Sequence, residues 1–88
     1  MVTVTAFQIP GLTIWFWSND HEPPHFHAKR RGEWEVRVNF LLDESEMIDV
    51  VWSDRAPSKK QLKHLATLAA QHRVALLEQW EAVHDNEL

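Results

Sequence analysis

The chain has 88 residues, a formal net charge of −4 with its histidines neutral, and 44% hydrophobic residues, among them five tryptophans and four phenylalanines. This length predicts one domain, 1–88, with a single hydrophobic core. Because the chain contains no cysteine, disulfides, thiolate zinc sites and cysteine nucleophiles are excluded. The acidic balance argues against sequence-independent nucleic-acid binding, which depends on lysine and arginine neutralising phosphates.

Targeting signals are not recognisable in the sequence. The N-terminal segment lacks a basic region followed by a long apolar run, and no apolar stretch approaches the ~18 residues of a membrane span. We therefore expect a cytoplasmic protein that makes no membrane contact. The one basic run, at 29–31, is short. Arg30 and Arg31 at this tip are candidate contacts to an acidic partner or to nucleic acid, although exposed charges at a turn are more often only solvated.

Two β-rich segments precede the histidines. They predict strands at about 2–7 and 12–17, separated by the Pro-Gly turn at 10–11. On the second strand, Trp15 and Trp17 alternate with an apolar face that we expect in the core. Two tryptophans on the opposite face need a cover, so both are candidate partner-binding residues; partial burial of both faces explains them equally well. The predicted core-facing residues of this strand are Leu12, Ile14 and Phe16.

A β-hairpin is predicted next, with strands at about 25–29 and 33–40. Apolar and polar residues alternate cleanly along the second strand, which is typical of a half-buried strand. A three-residue loop at 30–32 puts Gly32 at the position that needs a positive φ. It also sets apolar residues against each other across the two strands. The predicted pairs are Phe26 with Val36, Ala28 with Trp34, His25 with Arg37, His27 with Glu35, and Lys29 with Glu33.

A last strand and a long helix complete the predicted fold. The strand, at about 47–52, is expected to pair Phe40 with Ile48. The helix, at about 58–83, starts with a capping box and continues without glycine or proline as one amphipathic stripe, while 85–88 is expected to fray. The fold class is therefore α+β, an antiparallel β-meander of about four strands packed on one long C-terminal α-helix. The predicted core-facing residues of the last strand are Ile48, Val50 and Trp52.

The strongest chemical signal is a histidine-rich stretch at 21–27, His-Glu-Pro-Pro-His-Phe-His, which holds three of the six histidines. Imidazole is a metal ligand and the side chain that titrates nearest neutral pH. On a strand, His25 and His27 share one side, which we expect to be the side that the helix leaves open. The acidic residues just before the stretch, Asp20 and Glu22, are assigned to the turn through side-chain to backbone hydrogen bonds.

Three interpretations of this stretch stay open. The first is a transition-metal site for zinc or nickel, which accept imidazole and carboxylate ligands. The second is acid–base chemistry on a phosphodiester, as in a small hydrolase or ribonuclease. The third is a solvated strand face with a weak cross-strand pair between His27 and Glu35. The candidate metal ligands are His21, His25, His27, Glu35 and Asp49. The candidate catalytic residues are His25 and His27, with Arg37 or Glu35.

The segment 14–80 contains the motif at 19–27, Gly32 and, in the predicted helix, His72, Arg73, Leu76, Leu77, Glu78, Trp80 and Glu81. Through these residues it resembles a small bacterial family, domain of unknown function 4160. The resemblance implies a gene setting similar to that of toxin–antitoxin pairs, beside another short protein. On this basis we expect a small binding domain of such a pair, with its histidine-rich surface recognising a partner or a metal. The expected partner is a second copy, a small protein encoded by the neighbouring gene, or both.

Overall fold

A computed structural model describes residues 1–84, and the predicted fraying of 85–88 lies outside these residues. Five antiparallel strands form one sheet in the order of the chain, and two helices follow. None of the helices described is both long enough and apolar enough to cross a membrane. The strands are β1 (Val2–Thr3), β2 (Thr13–Phe16), β3 (Phe26–Arg30), β4 (Trp34–Val38) and β5 (Ile48–Ser53), and the helices are α1 (Lys59–Gln71) and α2 (Arg73–His84).

The α+β class and the antiparallel meander are confirmed, with five strands rather than about four. The core lies between one side of the sheet and the two helices. The predicted core side of β2 is confirmed, since Ile14 and Phe16 are buried and Leu12 packs against them. Burying one large apolar side chain contributes about 1.5–3 kcal/mol, so this layer supplies most of the driving force for folding. Further core residues are Phe26, Ala28, Trp34, Val36, Val38, Phe40, Leu65, Ala69, Leu76 and Trp80.

The hairpin between β3 and β4 has its three-residue loop at 31–33, one position later than predicted. Arg30 pairs with Trp34, and Gly32 has a φ of +78°. The backbone N–H of Glu33 donates to the carbonyl of Arg30 over 2.9 Å. The predicted register is therefore wrong by two positions. Since sides alternate with a period of two, every residue stays on its predicted side of the hairpin. The observed pairs are Phe26 with Val38, His27 with Arg37, Ala28 with Val36, and Lys29 with Glu35.

Strand β5 also differs from the prediction, because it contains a β-bulge. Ile48 pairs with Val38 rather than with Phe40. Val50 pairs with Val36 and Trp52 with Glu35, which leaves Val51 as an extra residue. An extra residue reverses the alternation of sides. The prediction that Trp52 faces the core is therefore wrong, and its ring lies on the opposite side of the sheet. Val50 keeps the helix side but stays half exposed at the sheet edge.

The predicted single helix at 58–83 is divided at His72. The capping box is confirmed, since Ser58 Oγ accepts from the Gln61 backbone over 3.1 Å and Gln61 Oε1 accepts from the Ser58 backbone over 2.9 Å. His72 leaves helical geometry, with φ −111° and ψ 22°. Its ring stacks on Phe7 at 5.5 Å. Arg73 donates to two carbonyls of the β4–β5 connection, and these tertiary contacts accompany a break that the local sequence does not signal.

Candidate metal centre at one end of the open face

We call the side of the sheet away from both helices the open face. The strand register sets four of its residues in one line across β2 to β5. Opposed residues of antiparallel strands lie on the same side, so their side chains are neighbours. This line crosses the sheet as an aromatic ring, an imidazole, a guanidinium and a carboxylate. Its residues are Trp15, His27, Arg37 and Asp49.

Trp15, on β2, and Trp17, just after β2, have different surroundings. Trp15 is buried, and its ring stacks on His27 at 5.4 Å and meets Trp17 edge-on at 5.9 Å. Its cover therefore comes from side chains of the same chain. Trp17 is exposed and also lies 6.5 Å from the His27 ring. Of the two predicted partner-binding tryptophans, Trp17 is the one available at the surface.

His25 and His27 are both buried, with 3% and 9% of their surface exposed. The ring of His27 lies on the open face, as expected. His25 precedes β3, and its ring lies 5.1 Å from His27 and 5.5 Å from Trp80 of α2. The expectation that both rings avoid the helix is therefore wrong for His25. The reason is that α2 packs Trp80 against the end of the sheet where the Pro-Pro turn delivers this histidine.

Asp20 joins the two imidazoles. Its Oδ2 lies 3.0 Å from His25 Nε2 and 2.9 Å from His27 Nε2. One ligand atom from each of the three residues lies within 4.8 Å of the others. Sequence reasoning gave Asp20 only a role in the turn. The available signal was its place in the short loop that leads into the histidine pair, which returns its carboxylate to the start of β3.

The other predicted ligands lie outside this cluster of Asp20, His25 and His27. His21 is exposed. Glu35 Oε2 is 3.9 Å from His27 Nδ1, the ring nitrogen that faces away from Asp20. Asp49 accepts a hydrogen bond from Asn39 over 3.2 Å. Glu35 thus lies beside the His27 ring without a hydrogen bond to it, and the structure brings neither His21 nor Asp49 to the cluster.

The hydrogen bonds of His25 fix where its proton resides. Its Nδ1 is 2.8 Å from the carbonyl oxygen of Pro23. A carbonyl only accepts, so Nδ1 carries the hydrogen, and a neutral ring then has its lone pair on Nε2. That lone pair points at the Asp20 carboxylate, which is also an acceptor, across 3.0 Å. Two acceptors at this distance repel unless a proton or a metal ion lies between them.

His27 shares the same carboxylate oxygen. Its Nε2 donates to Asp20 Oδ2 over 2.9 Å when it carries the proton. Its Nδ1 is buried and has no hydrogen-bond partner among the described residues. A buried nitrogen without a partner costs about 1–3 kcal/mol. One carboxylate oxygen therefore serves two buried imidazoles, which is an incomplete arrangement without a further ligand or proton.

The remaining predicted site residues lie apart from the cluster. Arg37 is beside His27 in the line across the sheet and donates to Asn39 Oδ1 over 3.2 Å. Arg30 forms an ion pair of 3.0 Å with Glu33, within the hairpin. Arg31 is exposed at the tip. Burial of both histidine rings suits a small enclosed ligand such as an ion better than a polymeric substrate.

Fold and site together define a small α+β domain with a cluster of two imidazoles and one carboxylate at the end of an open sheet face. The family model described as "Domain of unknown function (DUF4160)" matches residues 11–81, so the chain belongs to this family. The resemblance of the segment 14–80 to this family is thereby confirmed. Neither the search of curated proteins nor the search of solved structures found a match.

Proposed function

We propose that the protein is a metal-dependent binding domain in which Asp20, His25 and His27 hold a divalent transition metal. The observation that supports it is the 3.0 Å approach of His25 Nε2 to Asp20 Oδ2, with Nδ1 already committed to the Pro23 carbonyl. Without a proton between the two atoms this contact is repulsive, and a metal ion held by both atoms would replace it with two coordinate bonds. Zinc and nickel both accept this set of nitrogen and oxygen ligands.

The distances support this proposal. Tetrahedral zinc with bonds of about 2.0–2.1 Å holds neighbouring ligand atoms about 3.3 Å apart. The two imidazole nitrogens lie 3.0 Å and 2.9 Å from the shared oxygen, close to this spacing, and all three ligand atoms lie within 4.8 Å of one another. The hydrogen bond from His25 to Pro23 is the kind of outer contact that orients a metal-bound imidazole. Glu35 is the carboxylate beside the second ring, but at 3.9 Å from His27 Nδ1 it is too far to form a hydrogen bond.

Three protein ligands leave at least one coordination position for water or for a side chain of a partner. The open face beside the cluster exposes Trp17, and Arg37 pairs with His27 on the same face. Tryptophan and arginine are the usual anchors of protein interfaces. We infer that the metal organises one end of a protein-binding surface. The proposed partner is the short protein of the neighbouring gene in a toxin–antitoxin-like pair, which co-purification from a two-gene expression would test.

Metal analysis of the untagged protein tests the site. We expect close to one zinc or nickel ion per chain, and at least roughly 100-fold weaker binding in Asp20→Asn or His27→Gln, because loss of a ligand costs more than loss of an outer contact. His64→Gln is the matched control, since His64 is an exposed histidine on α1. Equal metal affinity in the wild type and in both site variants would refute the proposal.

The hydrolase alternative makes a different prediction. Acid–base chemistry on a phosphodiester requires the imidazoles but not a bound metal. RNA cleavage by metal-free protein, abolished by His25→Ala with His27→Ala and weakened by Arg37→Ala, would favour it. Metal binding without cleavage supports the binding domain, so the two experiments separate the two functions.

A further inference from the structure

The two edges of the sheet are finished in different ways. Gln79 of α2 covers the β1 edge: its Nε2 donates to the Thr3 carbonyl over 2.9 Å, and its Oε1 accepts from the Thr5 backbone over 2.9 Å. Strand β5 pairs with β4 on one side, and no described residue hydrogen-bonds to its outer side. The outer backbone groups of β5 are therefore available to another strand.

Apart from its bulge at Val51, strand β5 lacks the features that normally protect an edge. It is six residues long, Ile48–Ser53, and its sequence, IDVVWS, contains neither lysine nor proline. Natural edge strands are commonly short, charged or interrupted by proline. Asp49 is the one charged residue of β5. A single carboxylate is weak protection for six residues of unpaired backbone.

Exposed apolar side chains concentrate at the same edge. Val50, Val51 and Trp52 keep 50%, 53% and 38% of their surface exposed. Leu41 and Leu42, on the connection that leads into β5, are exposed as well. Three consecutive large hydrophobic residues of this edge strand, 50–52, are therefore exposed together.

The charges that flank the two ends of β5 have opposite signs, which favours antiparallel pairing with a strand of the same charge pattern. The connection before it, 41–46, carries three carboxylates at Asp43, Glu44 and Glu46. The segment after it, 54–60, carries Asp54 against three basic residues, a net charge of −1 + 3 = +2. Antiparallel pairing of β5 with itself sets the acidic end of one strand beside the basic end of the other. The basic residues of 54–60 are Arg55, Lys59 and Lys60.

We propose that β5 pairs antiparallel with β5 of a second copy of this chain, across a two-fold axis, to give one continuous sheet of twice the five strands. Such an isologous interface uses the same surface on both copies. Because Gln79 covers the β1 edge, each copy has only its β5 edge available among the described strands, and this edge pairs with one other copy. The assembly therefore stops at a dimer instead of growing into a fibre.

Because of the bulge, each copy contributes one aromatic ring next to the seam, the line along which the two β5 strands meet. The extra residue Val51 turns Trp52 onto the open face, where Lys29 Nζ lies 5.9 Å from the centre of its ring. Val50 stays on the helix side. Across a two-fold axis, the two copies place their Trp52 rings on the same open face, next to the seam. A tryptophan near the centre of an interface is a typical energetic anchor.

Sedimentation of the full chain over a range of concentrations tests the interface. We expect a dimer for the wild type and a monomer for Val51→Lys, since a buried lysine at the seam opposes pairing. Val74→Lys is the matched control, because Val74 is 74% exposed on α2, and it is expected to stay dimeric. Thermal unfolding verifies that both variants fold. A monomeric wild type at all concentrations, or equal loss of the dimer in both variants, would overturn the proposal.

A charge exchange tests the antiparallel orientation. Neither Glu46 nor Arg55 forms an ion pair with another described residue. Arg55→Glu and Glu46→Arg are each expected to weaken dimerisation roughly tenfold, because each replaces two symmetry-related attractions by repulsions. The double variant should return the dissociation constant to within roughly threefold of the wild type. Single variants without effect, or a double variant weaker than both, would show that the strands do not meet in this way.

Discussion

Asp20 controls the chemistry of the site at the scale of one residue. One of its oxygens contacts both imidazoles, so its loss leaves two buried rings without their shared partner. A buried polar group without a partner costs about 1–3 kcal/mol. The cluster is therefore constrained by a single carboxylate, which is why the metal experiment begins with Asp20→Asn.

Asp43 allows a separate test of local electrostatics. Ser45 donates from its hydroxyl over 2.6 Å and from its backbone over 3.1 Å to Asp43 Oδ2, and these bonds lower the pKa of Asp43 below its usual value. A carboxyl whose pKa falls on folding stabilises the fold above its unfolded pKa, and this contribution is lost as the pH falls through the folded pKa. Ser45→Ala should raise the pKa of Asp43, measured by NMR titration. Ser53→Ala should leave it unchanged.

At the helix break, the start of α2 forms hydrogen bonds with a segment that is distant in the sequence. Arg73 donates through Nε to the Phe40 carbonyl over 2.8 Å and through a terminal nitrogen to the Leu42 carbonyl over 2.6 Å. These bonds tie the start of α2 to the β4–β5 connection. Trp80, on the same helix, lies 5.5 Å from His25 between ring centres. Helix α2 therefore contacts both the β4–β5 connection and the candidate metal centre.

Removal of this tie gives a prediction for the element. Arg73→Ala should lower the free energy of unfolding by about 1–3 kcal/mol, because two charge-assisted hydrogen bonds are lost. Chemical denaturation followed by tryptophan fluorescence measures the change. Lys63→Ala is the control, since Lys63 is an exposed cation on α1, and surface changes of this kind stay within about ±0.5 kcal/mol. Equal stability of both variants would mean that the tie does not stabilise the junction.

The whole molecule is held by one core shared between the sheet and both helices. Leu76 of α2 is fully buried in this core, whereas Val74, two residues earlier, is exposed. Small domains have only about 5–15 kcal/mol of stability, so one core cavity removes a large part of it. The burial of Leu76 implies that α2 unfolds together with the sheet rather than separately.

Core truncation tests this cooperativity. Leu76→Ala should cost about 2–5 kcal/mol, from lost burial and the cavity that remains. Val74→Ala should stay within about 0.5 kcal/mol of the wild type. Within each variant, the unfolding transition followed by far-ultraviolet circular dichroism should coincide with the transition followed by tryptophan fluorescence. Separate transitions for helix and sheet signals would contradict a single cooperative core.

Local sequence patterns predicted which sides of the strands are buried, because apolar residues alternate with polar residues along a strand that has one buried side. For this reason the buried and open sides of the hairpin were predicted correctly although the register was wrong by two positions. The capping box at Ser58 was also predicted correctly. Alternation does not reveal an inserted residue, so the side of Trp52 was wrong. The helix break at His72 has no glycine or proline to signal it, and so escaped prediction.

The sequence by itself determined the α+β meander and the closeness of His25 and His27, since both depend on residues near each other in the chain. Only the tertiary structure decided that Asp20, rather than His21, completes the cluster, and that Trp80 packs against His25. It likewise decided which sheet edge is covered, through Gln79. These outcomes depend on how a loop and a helix return to the sheet, and that path is set by packing of the whole core rather than by local spacing.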